Sequence, residues 1–199
     1  MIAVIDYGMG NLFNICNGLS KVGAQPNVIS VPDELLDADG IVIPGVSSFG
    51  ETMQNLEPFI SVLSDLVDDG TPLLGICLGL QILFEYSEEG QAGGLKMIKG
   101  RVERLPGEVR IPHMGWNSLK ILDKTALFKD IDEGDFFFFA HSYFCKPGED
   151  DVVVAAVDYG GDVPVVIEKG NICGVQFHPE KSAEKGLKFL SNWVEMCCK

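Results

Sequence analysis

Cys77 lies in the stretch TPLLGICLGLQ, residues 71–81, with Gly75 and Gly79 two positions to either side. An apolar run, a thiol between two glycines and then helix-compatible residues from Leu80 to Tyr86 describe a strand, a tight turn and a helix start. G-x-C-x-G in that setting is the pattern of a nucleophile elbow, a strained turn that lifts its central side chain from the carboxyl end of a sheet. Backbone packs closely around such a turn, which is why glycines flank it. A thiol there would also face the positive end of a helix dipole, which favours the thiolate. A cysteine nucleophile needs a base to take its proton and later to protonate the leaving group, and that base needs an acceptor to orient it.

Three histidines could serve. His178 directly follows the apolar stretch ICGVQF and opens HPEKS, so it should emerge at a strand's carboxyl end, stiffened by Pro179, with Glu180 placed to accept from the imidazole. His141 also follows an apolar stretch but has no carboxylate within four residues. His113, flanked by Pro112 and Gly115 in IPHMGWN, reads as part of an exposed loop. Cys77, His178 and Glu180 are therefore the candidate catalytic set. A buried structural cysteine and a merely hydrogen-bonding histidine are the plain alternatives; the paired glycines and the H-P-E triplet weigh against them.

These residues must be held by elements that end on one side of a sheet. IAVID (2–6), PNVIS (26–30), GIVIP (40–44) and the strand ending at Cys77 alternate with a helix over 12–22, a short acidic helix over 33–37 and a helix over 51–67. In the last of these Leu56, Phe59, Ile60, Leu63, Leu66 and Val67 share one face. That alternation predicts an α/β fold with a mixed, mostly parallel central sheet and helices on both faces. Ligands of such sheets sit outside the carboxyl ends of the strands, where Gly8, Gly45 and Cys77 would meet. The second half carries closely spaced strand patterns at 97–105, 116–122, 136–144, 151–159, 163–170 and 171–177, with EKGN (168–171) as a hairpin turn, so antiparallel strands are expected there. Phe136 to Phe139 read as a strand buried on both faces, and Leu187, Leu190 and Val194 place a closing helix over 183–196.

Composition bounds the partners. The 199 residues, 46% hydrophobic and 22% charged, are those of one globular domain spanning 1–199. Fifteen basic against twenty-nine acidic residues give a net charge of −14, which disfavours nucleic acid and anionic membranes. The six cysteines show neither C-x-x-C pairing nor zinc-ligand spacing, so no metal is expected. Without an apolar run long enough to span a membrane, or a basic segment ahead of the first strand, a cytoplasmic protein with free thiols is expected. G-M-G at 8–10 is a weak phosphate-loop signal, lacking a third glycine and the acidic partner.

GICLGLQ around Cys77, with HPE at 178–180, resembles the class I, or triad, glutamine amidotransferases, and the likeness spans nearly the whole chain. More narrowly, DYGMGN (6–11), PGVSSFG (44–50), PHMGWN (112–117), HSY (141–143) and HPEKS (178–182) look like the glutaminase subunits of imidazole glycerol phosphate synthase. DYGxGN and PHMGWN discriminate most, since amidotransferases in general share only the elbow and HPE. The resemblance implies the flavodoxin-like amidotransferase fold and no cofactor. It implies that Cys77 attacks the carboxamide of L-glutamine and that His178 protonates the departing ammonia. His178 would then activate water on the glutamyl thioester, while Glu180 holds the imidazole tautomer. Backbone amides of Leu78 and of the stretch Gly45, Val46 and Ser47 would bind the oxyanion, and Gly45, Gln81, Ser142 and Tyr143 the substrate. Ammonia would pass to a (βα)8-barrel cyclase subunit in a heterodimer of histidine biosynthesis, giving imidazole glycerol phosphate and aminoimidazole carboxamide ribotide. Asn11, Asn14, Met114, Trp116, Asn117 and Lys181 are the candidate contacts to that partner.

One position departs from the resemblance, whose pattern is P-G-V-G where this chain has Pro44, Gly45, Val46, Ser47. Serine at positive φ costs about 1–2 kcal/mol relative to glycine, so Ser47 should alter the balance between resting and active forms of this stretch. Two other readings stay open: the glutaminase of another synthase, such as that of vitamin B6 synthesis, and a non-catalytic protein on this scaffold with Cys77 as a redox sensor.

Overall fold

The structure, a computed structural model, describes residues 1–8, 10–45 and 47–198. Val46, expected at the oxyanion site, lies outside the described residues. In chain order the elements are β1 (Ile2–Ile5), α1 (Leu12–Lys21), β2 (Pro26–Ile29), β3 (Gly40–Ile43), α2 (Phe49–Leu56), α3 (Ile60–Asp68), β4 (Leu73–Ile76), α4 (Leu78–Gln81), β5 (Phe84–Ser87), β6 (Ala92–Gly93) and β7 (Ile98–Arg104). They continue with β8 (His113–Ser118), β9 (Lys120–Ile121), β10 (Phe136–His141), β11 (Tyr143–Pro147), β12 (Val153–Asp158), β13 (Asp162–Lys169), β14 (Ile172–Val175) and α5 (Ala183–Cys197).

Eight strands form the central sheet in the order β2-β1-β3-β4-β14-β13-β12-β9. The pairs from β2 to β14 are parallel and those from β14 to β9 antiparallel, so the sheet is mixed, with its antiparallel part built from the second half of the chain. The parallel strands are apolar on both faces and alternate between two cores. In β1, Ile2 and Val4 pack with Ile15 and Leu19 of α1 and with Phe189, Leu190 and Trp193 of α5. Ala3 and Ile5 pack on the opposite side with Leu56 of α2 and with Leu63 and Val67 of α3. Helices therefore cover both faces.

Several elements differ from expectation: the acidic helix over 33–37 is a 3-10 turn, and the strands over 116–122 and 136–144 each divide in two. The helix over 51–67 is two helices, joined through a 3-10 turn at Glu57–Phe59, because Pro58 has no N–H to continue the ladder and crowds the preceding turn. Helix α4 stops after one turn, and Phe84–Ser87 becomes a strand paired with β6 and β7, since cross-strand pairing outweighs weak helix propensity. The Phe136–Phe139 run is not buried on both faces: Phe137 and Phe139 are fully buried, Phe138 is half-buried and Phe136 is 58% exposed. That alternation arises because β10 lies outside the central sheet and, among the described residues, pairs with β8 in a two-stranded sheet. Strands β11, β7, β5 and β6 form a third sheet.

Candidate active site

Strands β4 and β14 are parallel neighbours with Ile76 opposite Val175, so Cys77 and Gln176 leave the sheet side by side. The Cys77 N–H extends the ladder by one bond, donating to the Val175 carbonyl at 2.7 Å. The chain then turns sharply, and Cys77 takes φ +54°, ψ −108°. That left-handed conformation strains a residue with a β-carbon and aims its side chain away from the sheet. The crowding is real: a β-carbon on Gly75 would lie 2.5 Å from the Gly79 carbonyl oxygen, and one on Gly79 would lie 2.0 Å from that of Ile43. Gly45 approaches the turn equally closely, with its β-carbon position 2.3 Å from the Gly79 nitrogen.

Two residues past Gln176, His178 is buried, with Nδ1 3.0 Å from Glu180 Oε1. The Glu180 side chain is fully covered. A carboxylate only accepts, so Nδ1 carries the hydrogen and Nε2 is left free to serve the Cys77 sulfur. Burial alone is the largest influence on the His178 pKa and pushes it down; the hydrogen bonds and charges of Cys77 and Glu180 together outweigh it and hold the ring at about 9. The loop carrying the ring is tied at both ends of its peptide. His178 N donates to Phe138 O at 2.9 Å, and Ser182 Oγ donates to His178 O at 2.6 Å while accepting from Phe138 N at 2.9 Å.

Beside this pair is a cavity of about 340 Å³. Of the residues picked out from the sequence, Gly45, Ser47, Leu78, Gln81, Ser142 and Tyr143 line it together with Cys77, His178, Lys181 and Met114. Glu180 lies behind His178, and Asn11, Asn14, Trp116 and Asn117 lie off the cavity. Trp116 is 52% and Met114 68% exposed, one on each side of Gly115 in β8. Asn11 and Asn14 are half-buried around Phe13, which is 79% exposed. Asn117 donates to Asp158 O at 3.2 Å and accepts from Ser118 N, so its amide is engaged within the chain.

Sequence reasoning placed His113 in an exposed loop; it is instead buried at the start of β8. Its ring stacks on Tyr159 at 3.8 Å and Phe139 at 4.7 Å, because β8 pairs with β10 and turns His113 into an aromatic slot. Its Nδ1 meets His141 Nε2 at 3.1 Å, and His141 Nδ1 lies 2.8 Å from the Tyr143 carbonyl. A carbonyl accepts, so His141 donates from Nδ1 and receives at Nε2, and both rings are neutral. Burial lowers the His113 pKa to about 4 and, as the largest influence, that of His141 to about 3.

Several residues at the site gave little sequence signal. Tyr7 donates its phenol to Pro44 O, and burial, the largest influence, lifts its pKa to about 12. Glu89 lines the cavity and accepts from Phe49 N at 2.9 Å. Ser182 could have been suspected as a residue just ahead of a helix start.

The sequence profile described as glutamine amidotransferase class-I matches residues 3–196. The chain belongs to the class-I glutamine amidotransferase family. Among relatives, the chain is 48% identical to "Imidazole glycerol phosphate synthase subunit HisH" of Methanosarcina acetivorans, covering 98% of each chain. It is 45% identical to the protein of the same name from Moorella thermoacetica, over 98% of this chain and 94% of the relative. A solved structure titled "Crystal structure of glutamine amidotransferase" superposes with a TM-score of 0.80 over 100% of both chains at 18% identity, a likeness of fold.

For this amidotransferase the histidine pKa values give opposing pH dependences. His178 holds its proton in the folded chain up to about 9 but in the unfolded chain only to 6.5. Its contribution is complete below 6.5 and lost as pH rises through about 9. His113 and His141 stay neutral when folded, so their contribution is present above 6.5 and lost as pH falls towards about 4 and 3. Urea midpoints measured across this range should trace a dome near neutral pH, and His178→Asn should flatten its alkaline side. An unchanged alkaline limb in that variant would contradict the assignment.

Proposed function

We propose that this chain is the glutamine-hydrolysing subunit of an imidazole glycerol phosphate synthase, a cytoplasmic enzyme that delivers ammonia to a (βα)8-barrel cyclase partner. The observation that carries the hydrolytic reading is the buried His178–Glu180 pair set against a cysteine held at φ +54° on the wall of a cavity. The relatives' shared name supports the choice of synthase. Among the described residues no helix is long and apolar enough to cross a membrane.

L-Glutamine enters with its carboxamide towards Cys77. The sulfur attacks the carboxamide carbon, and negative charge builds on the oxygen near the Leu78 amide and the Gly45–Ser47 stretch. The His178 imidazolium gives its Nε2 proton to the departing nitrogen, ammonia leaves and a glutamyl thioester remains. Neutral His178 then takes a proton from water as the water attacks, which frees glutamate and restores the thiol. Glu180, acting at Nδ1, keeps Nε2 facing the sulfur through both half-reactions. Glu89, the carboxylate lining the cavity, suits the substrate's ammonium group. Lys181 and Met114 stand at the wall, and Trp116 and Phe13 offer exposed apolar anchors for the partner.

Ser47 has φ +155°, and its hydroxyl donates to Glu51 Oε2 at 2.7 Å in the first turn of α2. Co-purification with a barrel cyclase, and glutamine turnover with and without it and its ligand, test the assignment. A chain that neither binds the cyclase nor responds to it would overturn the synthase reading. In the same assay Ser47→Gly should raise basal turnover and so lower the ratio of stimulated to basal rate, by about five- to thirtyfold for a 1–2 kcal/mol change. An unchanged ratio would remove Ser47 from the activation step.

A further inference from the structure

Gln176 is fully buried, at the position beside Cys77 where β4 and β14 end together. Its Oε1 accepts from Gln81 Nε2 at 2.9 Å, and its Nε2 donates to Cys77 Sγ at 3.5 Å. An amide can be turned end for end in a site that offers both donors and acceptors, but here the choice is fixed from outside. Gln81 Nε2 also donates to the Tyr143 carbonyl at 2.9 Å, and that carbonyl accepts from His141 Nδ1 at 2.8 Å. Gln81 therefore presents hydrogens to Gln176, and a flipped Gln176 would set two NH2 groups against each other. With its oxygen committed, Gln176 must turn its NH2 towards the sulfur.

The sulfur has a different neighbour for each protonation state. The Ala140 carbonyl, 3.9 Å away, can only accept, so it serves a protonated thiol. The Gln176 amide donates, so it is best used by a thiolate, as is the imidazolium of His178. We infer that Gln176 is a further catalytic residue, a fixed amide donor that holds the Cys77 sulfur as thiolate and aims it at the substrate. This rests on the glutaminase reading for its purpose, though not for its test.

The test is the rate at which iodoacetamide alkylates Cys77 in the full chain, followed by mass spectrometry of the Cys77 peptide, as a function of pH and without glutamine or partner. Gln176→Met keeps the length of the side chain and removes the donor. Gln176→Glu keeps an acceptor for Gln81 and sets an oxygen against the sulfur. At pH 7 the Met variant should react about tenfold more slowly than the parent, and the Glu variant more slowly still, in keeping with a lost hydrogen bond to a charged group. The deficit should shrink as pH rises, because hydroxide then supplies the thiolate without help from the amide. Should one variant not fold, the other carries the measurement. Alkylation as fast as in the parent at pH 7, or a deficit equal at every pH, would overturn the proposal. If the parent protein hydrolyses no glutamine and yet both variants slow alkylation, the glutaminase reading fails and the Gln176 assignment stands.

Discussion

Cys77→Ala is expected to lower cyclase-stimulated glutamine hydrolysis by at least about 10⁴-fold while the chain still folds and binds its partner. The methyl group occupies less space than the thiol and meets the same neighbours, so the loss would be chemical. His178→Asn should cost a similar factor. The double variant should be little worse than either single one, because a nucleophile and its base act as a unit and their losses do not add. The readout is ammonia release at saturating glutamine with partner and cyclase ligand present. Residual turnover within tenfold of the parent would remove the thioester from the mechanism.

The parallel half of the fold was legible because its strands are short apolar runs between glycine turns and helical periodicities, and local pattern there agrees with global packing. β1, β3 and β4 are buried on both faces, and sequence marks such strands well. The second half was legible as strands but not as sheets. Nothing in FFFFAHSYF says that the chain breaks at Ser142 so that Phe136–His141 pairs with β8 while Tyr143–Pro147 pairs with β7. That break decides the site, because it sets Ala140, His141 and Tyr143 around the cavity. His113 was misread for the same reason: Pro112 and Gly115 signal a turn locally, whereas the aromatic slot that buries the ring is made by Phe139 and Tyr159, far away in sequence. Cys77, His178 and Glu180 could be picked out because each follows a strand or lies two residues from its partner. Gln176 and Ser182 act through neighbours supplied by β4 and β10, and no spacing rule connects them.

Gly79→Ala is expected to be among the most damaging glycine-to-alanine changes in the described residues, alongside Gly186→Ala, whose β-carbon would lie equally close to the Pro179 carbonyl oxygen. The β-carbon at Gly79 would stand 2.0 Å from Ile43 O and 3.0 Å from Ile43 C, both backbone atoms at the end of a central strand. Neither can move without breaking the β3–β4 pairing. At Gly174, by contrast, an added β-carbon meets the Leu80 side chain at 2.3 Å, which has rotamers to explore. At Gly50, in α2, it meets nothing within 4 Å, so Gly50→Ala should be neutral or stabilise by about 0.5–1 kcal/mol through helix propensity. Overpacking against backbone puts Gly79→Ala at about 3 kcal/mol or more, which for a chain of this size lowers Tm by roughly 6–12 °C. Thermal unfolding of the two variants beside the parent reads the contrast directly, and a Gly79→Ala protein melting within about 2 °C of the parent would mean that the turn is looser than described. Glutaminase activity should fall with stability here, even in whatever fraction folds. Any relief of the clash has to open the gap between β3 and the turn, and that gap is what keeps Cys77 at φ +54° with its sulfur against the Gln176 amide.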